Sequence, residues 1–206
     1  MRADAGRRCS PPVRDRLPHG SGLAVTAADE PVEVVDEHGT VERLVTRAEM
    51  RAGNLRHRSV AVVVLTSAGE LVAHRRADWK DVWPGRWDVC FGGVTGVGEA
   101  WRDAGCRELA EEAGVRVDPS TLREMGRGTY ADDAVSTYFR VYQAVHDGPF
   151  RPADGEVAEL VLVPLAAVER WAEGRPLCED SRAFIVPLIV ALARGDAPVT
   201  PDDDGG

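Results

Sequence analysis

Gly93-Val94-Thr95-Gly96-Val97-Gly98-Glu99-Ala100-Trp101-Arg102-Asp103-Ala104-Gly105-Cys106-Arg107-Glu108-Leu109-Ala110-Glu111-Glu112-Ala113-Gly114-Val115 is the stretch that decides the fold of this 206-residue chain. As a pattern it reads Gly93, five residues, Glu99, seven residues, then Arg107 to Val115 without a gap. With common residues at roughly 7% each, its seven fixed and two aliphatic positions would coincide by chance on the order of once in ten million chains of this length.

On a helix over residues 99–113, Glu108, Glu111 and Glu112 fall at about 0°, 300° and 40°, inside one arc about 100° wide. Cys106, Leu109, Ala110 and Ala113 share the opposite arc, a small apolar stripe suited to packing on a sheet. The pattern thus predicts a docked helix whose acidic face looks outward. Carboxylates at these spacings repel by about 0.2–0.5 kcal/mol per pair unless a cation collects them. Magnesium takes hard oxygen ligands and keeps positions open for phosphate oxygens, and manganese accepts the same set. A solvated acidic surface is the plain alternative in a chain with 34 acidic residues, and only the whole pattern argues against it. Gly92 and Gly93 sit in a loop that must bend sharply and let backbone carbonyls approach an ion, and Gly96 and Gly98 loosen the same loop. Gly114 stands where helices commonly end in the left-handed conformation.

The segment resembles the signature box of the Nudix hydrolases, which cleave diphosphate linkages attached to a variable organic group. The resemblance implies an α/β fold, an α/β/α sandwich around a mixed β-sheet. It implies Mg²⁺ as cofactor, with Mn²⁺ as a substitute, held by Glu108, Glu111, Glu112 and the Gly93 carbonyl. Arg107 joins these glutamates as a catalytic-site residue and is expected to pair with Glu99, locking the loop onto the helix; Gly93, Glu99, Arg107 and Gly114 form the structural frame. Arg75, Arg76 and Lys80 are candidates for the outer phosphate, with ordinary exposed basic residues as the alternative for each. Glu108, Glu156 and Glu159 remain candidates for the general base.

Residues 32–87 narrow the resemblance. A hairpin with Asp36-Glu37-His38-Gly39 at its turn, a capping-box pattern at Thr46 and Glu49, Leu55-Arg56-His57-Arg58, a β-branched run over 59–65, Arg75-Arg76 and Trp83-Pro84-Gly85-Arg86-Trp87 follow in order. This order resembles the isopentenyl-diphosphate isomerase branch of the superfamily. Counting from Trp87, however, Gly92 stands at that isomerase's catalytic cysteine, Val94 at its metal-binding histidine, and Ala134 near its catalytic glutamate. Cys90 comes two residues too early and reads better as a small buried hydrophobe than as a nucleophile. The hydrolase box is complete, so the expectation is metal-assisted water attack at phosphorus on a small substrate, a nucleoside di- or triphosphate or a related organic diphosphate. An isomerase and a nucleotide-sensing module without turnover are the alternatives.

Composition is compatible with this reading. The net charge of −9 argues against sequence-independent nucleic-acid binding, which needs a positive field. Cys9, Cys90, Cys106 and Cys178 show no metal-ligand spacing, and no apolar run long enough to cross a membrane is present, so a cytoplasmic protein with reduced thiols is expected. Residues 1–30 and 197–206 read as disordered, 31–196 as one Nudix domain, and a homodimer is left open. Further strands are expected near Thr129 and over residues 136–145 and 157–163, with helices from Leu165 and over 180–194. Recognition of the organic group is expected from loops 55–58, 77–83 and 131–135.

Overall fold

The structure, a computed structural model, describes residues 26–153 and 155–196. Strands β1 (Pro31–Val35) and β2 (Val41–Thr46) form the expected hairpin, with the Asp36 carboxylate accepting from the backbone N–H groups of His38 and Thr40 at its turn. Helix α1 (Arg47–Ala52) starts on a complete capping box: the Thr46 hydroxyl accepts from the Glu49 N–H, and the Glu49 carboxylate accepts from the Thr46 N–H. Strands β3 (His57–Leu65), β4 (Glu70–Arg76), β5 (Trp87–Asp88) and β6 (Phe91–Val94) lead into α2 (Trp101–Glu108). Strands β7 (Arg123–Ala131), β8 (Ser136–Val145) and β9 (Val157–Pro164) follow, then α3 (Val168–Glu173) and α4 (Val186–Arg194).

Strand β3 is the centre of a mixed sheet. Along one edge it pairs in parallel with β8 over its whole length, from His57 opposite Thr137 to Leu65 opposite Val145. Along the other it meets three antiparallel partners in turn: β1 at His57, β6 over residues 59–62 and β4 at Leu65. Its β-branched composition suits burial on both faces. Val60, Val62 and Val64 pack with Ala104, Leu109 and Ala113 of the α2 segment, while Ala61, Val63 and Leu65 pack with Val168, Ala172, Ile185 and Ile189 on the opposite side. Period-two alternation therefore supplies two cores from one strand, and the architecture is the expected α/β/α sandwich.

One local expectation is corrected. The helix anticipated over residues 99–113 begins at Trp101, and after Glu108 it changes to a π-helical turn, Leu109–Ala113, that Gly114 ends at φ +67°. Bonding to the fifth residue widens the turn and breaks the 100° spacing of the carboxylates. Between β5 and β6 the chain bends at Val89 and Cys90, where the Asp88 carboxylate accepts from both N–H groups. Of residues 1–30, only 26–30 are described: Ala27–Asp29 form a 3-10 turn, and the Glu30 carboxylate pairs with Arg47 at 2.7 Å. The rest of that segment, with Cys9, and the expected tail lie outside the described residues.

Candidate active site

The α2 segment is held against the β6 end by a fork. The Arg107 guanidinium donates to both Glu99 oxygens, at 3.0 and 3.1 Å, and to the Val94 carbonyl at 3.2 Å. The sequence reading anticipated the first pairing. A second clamp had no sequence signal: Glu33 and Arg58, both nearly buried, pair at 2.6 Å. Glu33 also accepts from the Gly98 N–H, and Arg58 donates to the Glu99 carbonyl while its guanidinium lies 4.1 Å from the centre of the Trp101 ring. The glycine-rich loop is thus fixed from the sheet as well as from the helix. At Gly93 a Cβ would stand 2.8 Å from the nearer Glu108 carboxylate oxygen, so only glycine lets that carboxylate lie flat against the strand.

The π-helical turn sets the carboxylates apart from the outward face that the wheel predicted. Glu108 and Glu112 are 7% and 4% exposed, and only Glu111 is open to solvent. Burial raises the pKa of Glu108, with Glu111 and Glu156 adding repulsion against the pull of Arg107. Burial, and then Glu108, raises that of Glu112 well above the usual carboxylate value, although the Gly92 N–H donates to it at 2.9 Å. Two buried acids beside each other are costly unless a cation meets them. In kind, these hard oxygen donors fit magnesium or manganese. In arrangement they are not gathered: among the described residues no three ligating side chains could hold a metal ion, and one Arg107 nitrogen donates to Glu108 at 2.7 Å and to Glu111 at 3.3 Å. Arg107 supplies the cation where the ion would be collected.

The cleft is also lined by basic residues. Arg47 and Arg51, one turn apart on α1, and Arg76 of β4 and Lys80 line the same cleft as Glu99, Glu108, Glu111, Glu112 and Glu156. Burial lowers the pKa of Arg51, and Arg47 and Arg76 lower it further against the pull of Asp81. Its buried Nε makes no hydrogen bond but lies 3.4 Å from an Asp81 carboxylate oxygen as an ion pair. Three guanidinium groups crowding one another is an arrangement an anion relieves. Of the three expected phosphate holders, Arg76 and Lys80 reach this cleft and Arg75 does not line it; Arg75 pairs instead with Asp78 at 2.8 Å and lies 4.0 Å from Glu159. Adjacent residues of a strand point to opposite faces, which separates Arg75 from Arg76. Lys80 is paired with Glu156. Of the candidate bases, Glu108 and Glu156 line the cleft and Glu159 does not. Arg47 and Arg51 were missed, although their spacing just after the capping box was a signal for one shared face.

Beyond Glu112 the cleft continues into a recess of about 100 Å³. Arg51, Arg76, Gly92, Gly93, Val94 and Glu112 line both spaces. Residues from all three loops expected to recognise the organic group reach it: His57, Val82, Trp83 and Val135. Cys90 lies here too, but as a donor, its thiol 3.3 Å from an Asp88 oxygen. Burial, and then Asp88, raises the Cys90 pKa well above the ordinary thiol value, so it stays protonated and unsuited to nucleophilic attack.

No helix among the described residues is long and apolar enough to cross a membrane. In sequence, the chain is 37% identical over 148 residues to the uncharacterized Nudix hydrolase PA4841 of Pseudomonas aeruginosa, spanning 71% of this chain and 86% of that one. It is 32% identical over 175 residues to the uncharacterized Nudix hydrolase YfcD of Escherichia coli K12, spanning 84% and 94%. In structure it is similar to DR0079 of Deinococcus radiodurans, with a TM-score of 0.62 at 23% identity over 78% of this chain and 98% of that one. It also resembles the NUDIX domain of Shewanella oneidensis NrtR, solved with ADP ribose, with a TM-score of 0.53 at 19% identity over 73% and 99%. Residues 55–180 match the NUDIX domain family, and with the box in place on the π-turned helix the chain belongs to the Nudix hydrolase family.

Proposed function

We propose that the protein is a magnesium-dependent hydrolase that cleaves the diphosphate linkage of a small organic diphosphate, a nucleoside di- or triphosphate or a close relative, by attack of water at phosphorus. One observation carries the reading: buried carboxylates Glu108 and Glu112 and the arginines Arg47, Arg51 and Arg76 line a single cleft. A diphosphate needs both sets, one to hold its counter-cation and one to hold its outer oxygens. A divalent ion held by Glu108, Glu111, Glu112 and the Gly93 carbonyl would neutralise the diphosphate and lower the pKa of a bound water.

The chain's own residues do the positioning that phosphoryl transfer chiefly requires. Arg51 and Arg76 orient the outer phosphate at the junction of cleft and recess. Arg107 holds both oxygens of Glu99, which would keep the helix docked with Glu108 and Glu111 free to hold an ion. Glu156, held by Lys80, is a candidate to accept a proton from water, as is Glu108. Isomerase chemistry is disfavoured because the only cysteine lining the recess is a buried, protonated donor to Asp88. The cytoplasmic location and action as a small-molecule enzyme without nucleic acid belong to the same proposal.

The test is phosphate release from a panel of nucleoside di- and triphosphates, dinucleotides and prenyl diphosphates with Mg²⁺ and with EDTA. Glu111→Gln and Glu112→Gln should each lower metal-dependent turnover by about a hundredfold or more with the fold retained, because a neutral amide is a poor ligand for a hard cation. Unchanged turnover in both variants would overturn the assignment.

A further inference from the structure

Two carboxylates inside the recess have no part in holding the ion. The inner oxygen of Asp88 accepts from Val89 N–H at 2.8 Å, from the Ser181 hydroxyl at 2.5 Å and from the Cys90 thiol, and Arg76 lies 3.9 Å from its other oxygen. Asp180 is different. One of its oxygens accepts from the Ser181 N–H at 2.6 Å, and the other has no hydrogen-bond partner among the described residues. His57, 2% exposed, holds its Nδ1 2.9 Å from the Leu55 carbonyl. A carbonyl only accepts, so Nδ1 carries the proton and Nε2 is left as a bare acceptor, again without a partner among the described residues. Both residues line the recess, and polar atoms there without a protein partner are open positions for a ligand.

The apolar part of the lining sets two aromatic rings, Trp83 and Phe139, among aliphatic side chains. Trp83, Phe139 and Ile185 line the recess, and Trp83 is held at φ +49°, a conformation costly for a bulky residue. Its ring meets Tyr130 edge-on at 6.4 Å. Two rings beside a few polar atoms suit a planar heterocycle, and it is the polar atoms that a branched aliphatic chain would leave unmet.

We propose that this recess binds the organic group of the diphosphate and selects a heterocycle that carries an amino group beside a ring nitrogen, the edge that adenine and cytosine present. This rests on the diphosphate reading of the adjoining cleft. Burial, and then the neighbouring Asp88, pushes the Asp180 pKa up to about 8, so near neutrality it is a carboxylic acid with one O–H to give and one carbonyl to receive. The O–H donates to the ring nitrogen, the carbonyl accepts from the amino group, and His57 Nε2 accepts the second amino hydrogen. Uracil and hypoxanthine present the reverse order, a ring N–H beside a carbonyl, and set their carbonyl against the His57 acceptor. A prenyl group offers nothing to either residue.

The experiment is isothermal titration of the full chain with ADP, inosine diphosphate, CDP, UDP and isopentenyl diphosphate, each in EDTA and in Ca²⁺. ADP should bind at least about tenfold tighter than inosine diphosphate, and CDP than UDP, with isopentenyl diphosphate weakest of all. Asp180→Asn, which still offers one donor and one acceptor, should keep the preference. Asp180→Leu and, independently of that helix cap, His57→Phe should bring each pair within about threefold. Equal affinities within both pairs, tighter binding of isopentenyl diphosphate, or no binding of any nucleotide under either condition would overturn the proposal. Discrimination without Mg²⁺-dependent hydrolysis would overturn the hydrolase reading alone, and hydrolysis of all five without discrimination would overturn the recess assignment alone.

Discussion

Acidification should weaken this fold through two buried histidines, and His74 allows the effect to be isolated. Its ring is 1% exposed and stacks on Phe91 with centroids 4.8 Å apart, and its buried Nδ1 has no hydrogen-bond partner. Burial, opposed in part by Asp88, lowers its pKa from 6.5 to about 4, and burial does the same to His57. As pH falls, the unfolded chain therefore takes up its protons first, and stability is lost from about pH 6.5 downward until the folded histidines protonate near about pH 4. From about pH 8 to about pH 5 these values give a loss of about 2 kcal/mol per histidine, at 1.36 kcal/mol per decade of the proton-binding ratio. Asp180 works in the opposite sense: its pKa is raised in the folded state, so its contribution is present at low pH and is lost as pH rises through about 8. The wild-type curve sums all of these, and a variant separates them. His74→Phe keeps an aromatic ring against Phe91 but takes up no proton. Urea unfolding of both proteins at the two pH values should show the wild type losing about 2 kcal/mol more than the variant. Equal losses would refute the assignment of acid sensitivity to His74.

Arg76→Ala should lower kcat/KM for diphosphate substrates by about tenfold or more, whereas Arg75→Ala, whose side chain is engaged with Asp78, should stay near wild type; steady-state kinetics on the two variants checks the side of β4 that faces the cleft. Cys90→Ala should keep most Mg²⁺-dependent hydrolysis at a stability cost of about 1–2 kcal/mol, and the parent should form no dimethylallyl diphosphate from isopentenyl diphosphate, as product analysis by mass spectrometry would show. Gly114→Ala and Gly98→Ala share a φ of +67°, but a Cβ at Gly114 would stand 2.2 Å from the Arg151 carbonyl oxygen and one at Gly98 meets nothing. Thermal melts should therefore show Gly98→Ala losing about 1–2 kcal/mol and Gly114→Ala clearly more, with similar losses arguing against the close approach.

Much of the framework was legible because it depends on short-range rules. The capping box at Thr46 and Glu49, the turn at Asp36 and the doubly buried β-branched run of β3 each follow from a local preference that the tertiary structure reinforces. The Arg107–Glu99 pairing was reached through the resemblance, and its geometry here is a two-oxygen fork. What failed was an assumption of regularity. A wheel drawn at 100° per residue puts three glutamates on one outward face, and the π-helical turn after Glu108 instead buries Glu112 against the Gly92 N–H and leaves Glu111 outside. The switch is invisible to periodicity because Leu109 and Ala113 stay apolar and buried under either winding.

The residues of the recess lie farther apart in sequence. Asp88 and Ser181 are 93 residues apart and share one hydrogen bond, and His57 reaches the same recess from the start of β3. No spacing rule links them, since they are brought together by the sheet rather than by a helix or a turn. The consequence is physical as well as methodological. The proposed metal chemistry sits on one contiguous segment, where a π turn and a two-oxygen fork position the helix that carries three carboxylates. The proposed selectivity would sit on side chains from separate loops that can change one at a time without disturbing that segment. Substituting His57 or Asp180 should therefore alter which diphosphates bind while leaving metal-dependent hydrolysis in place, and substituting Glu112 should do the reverse.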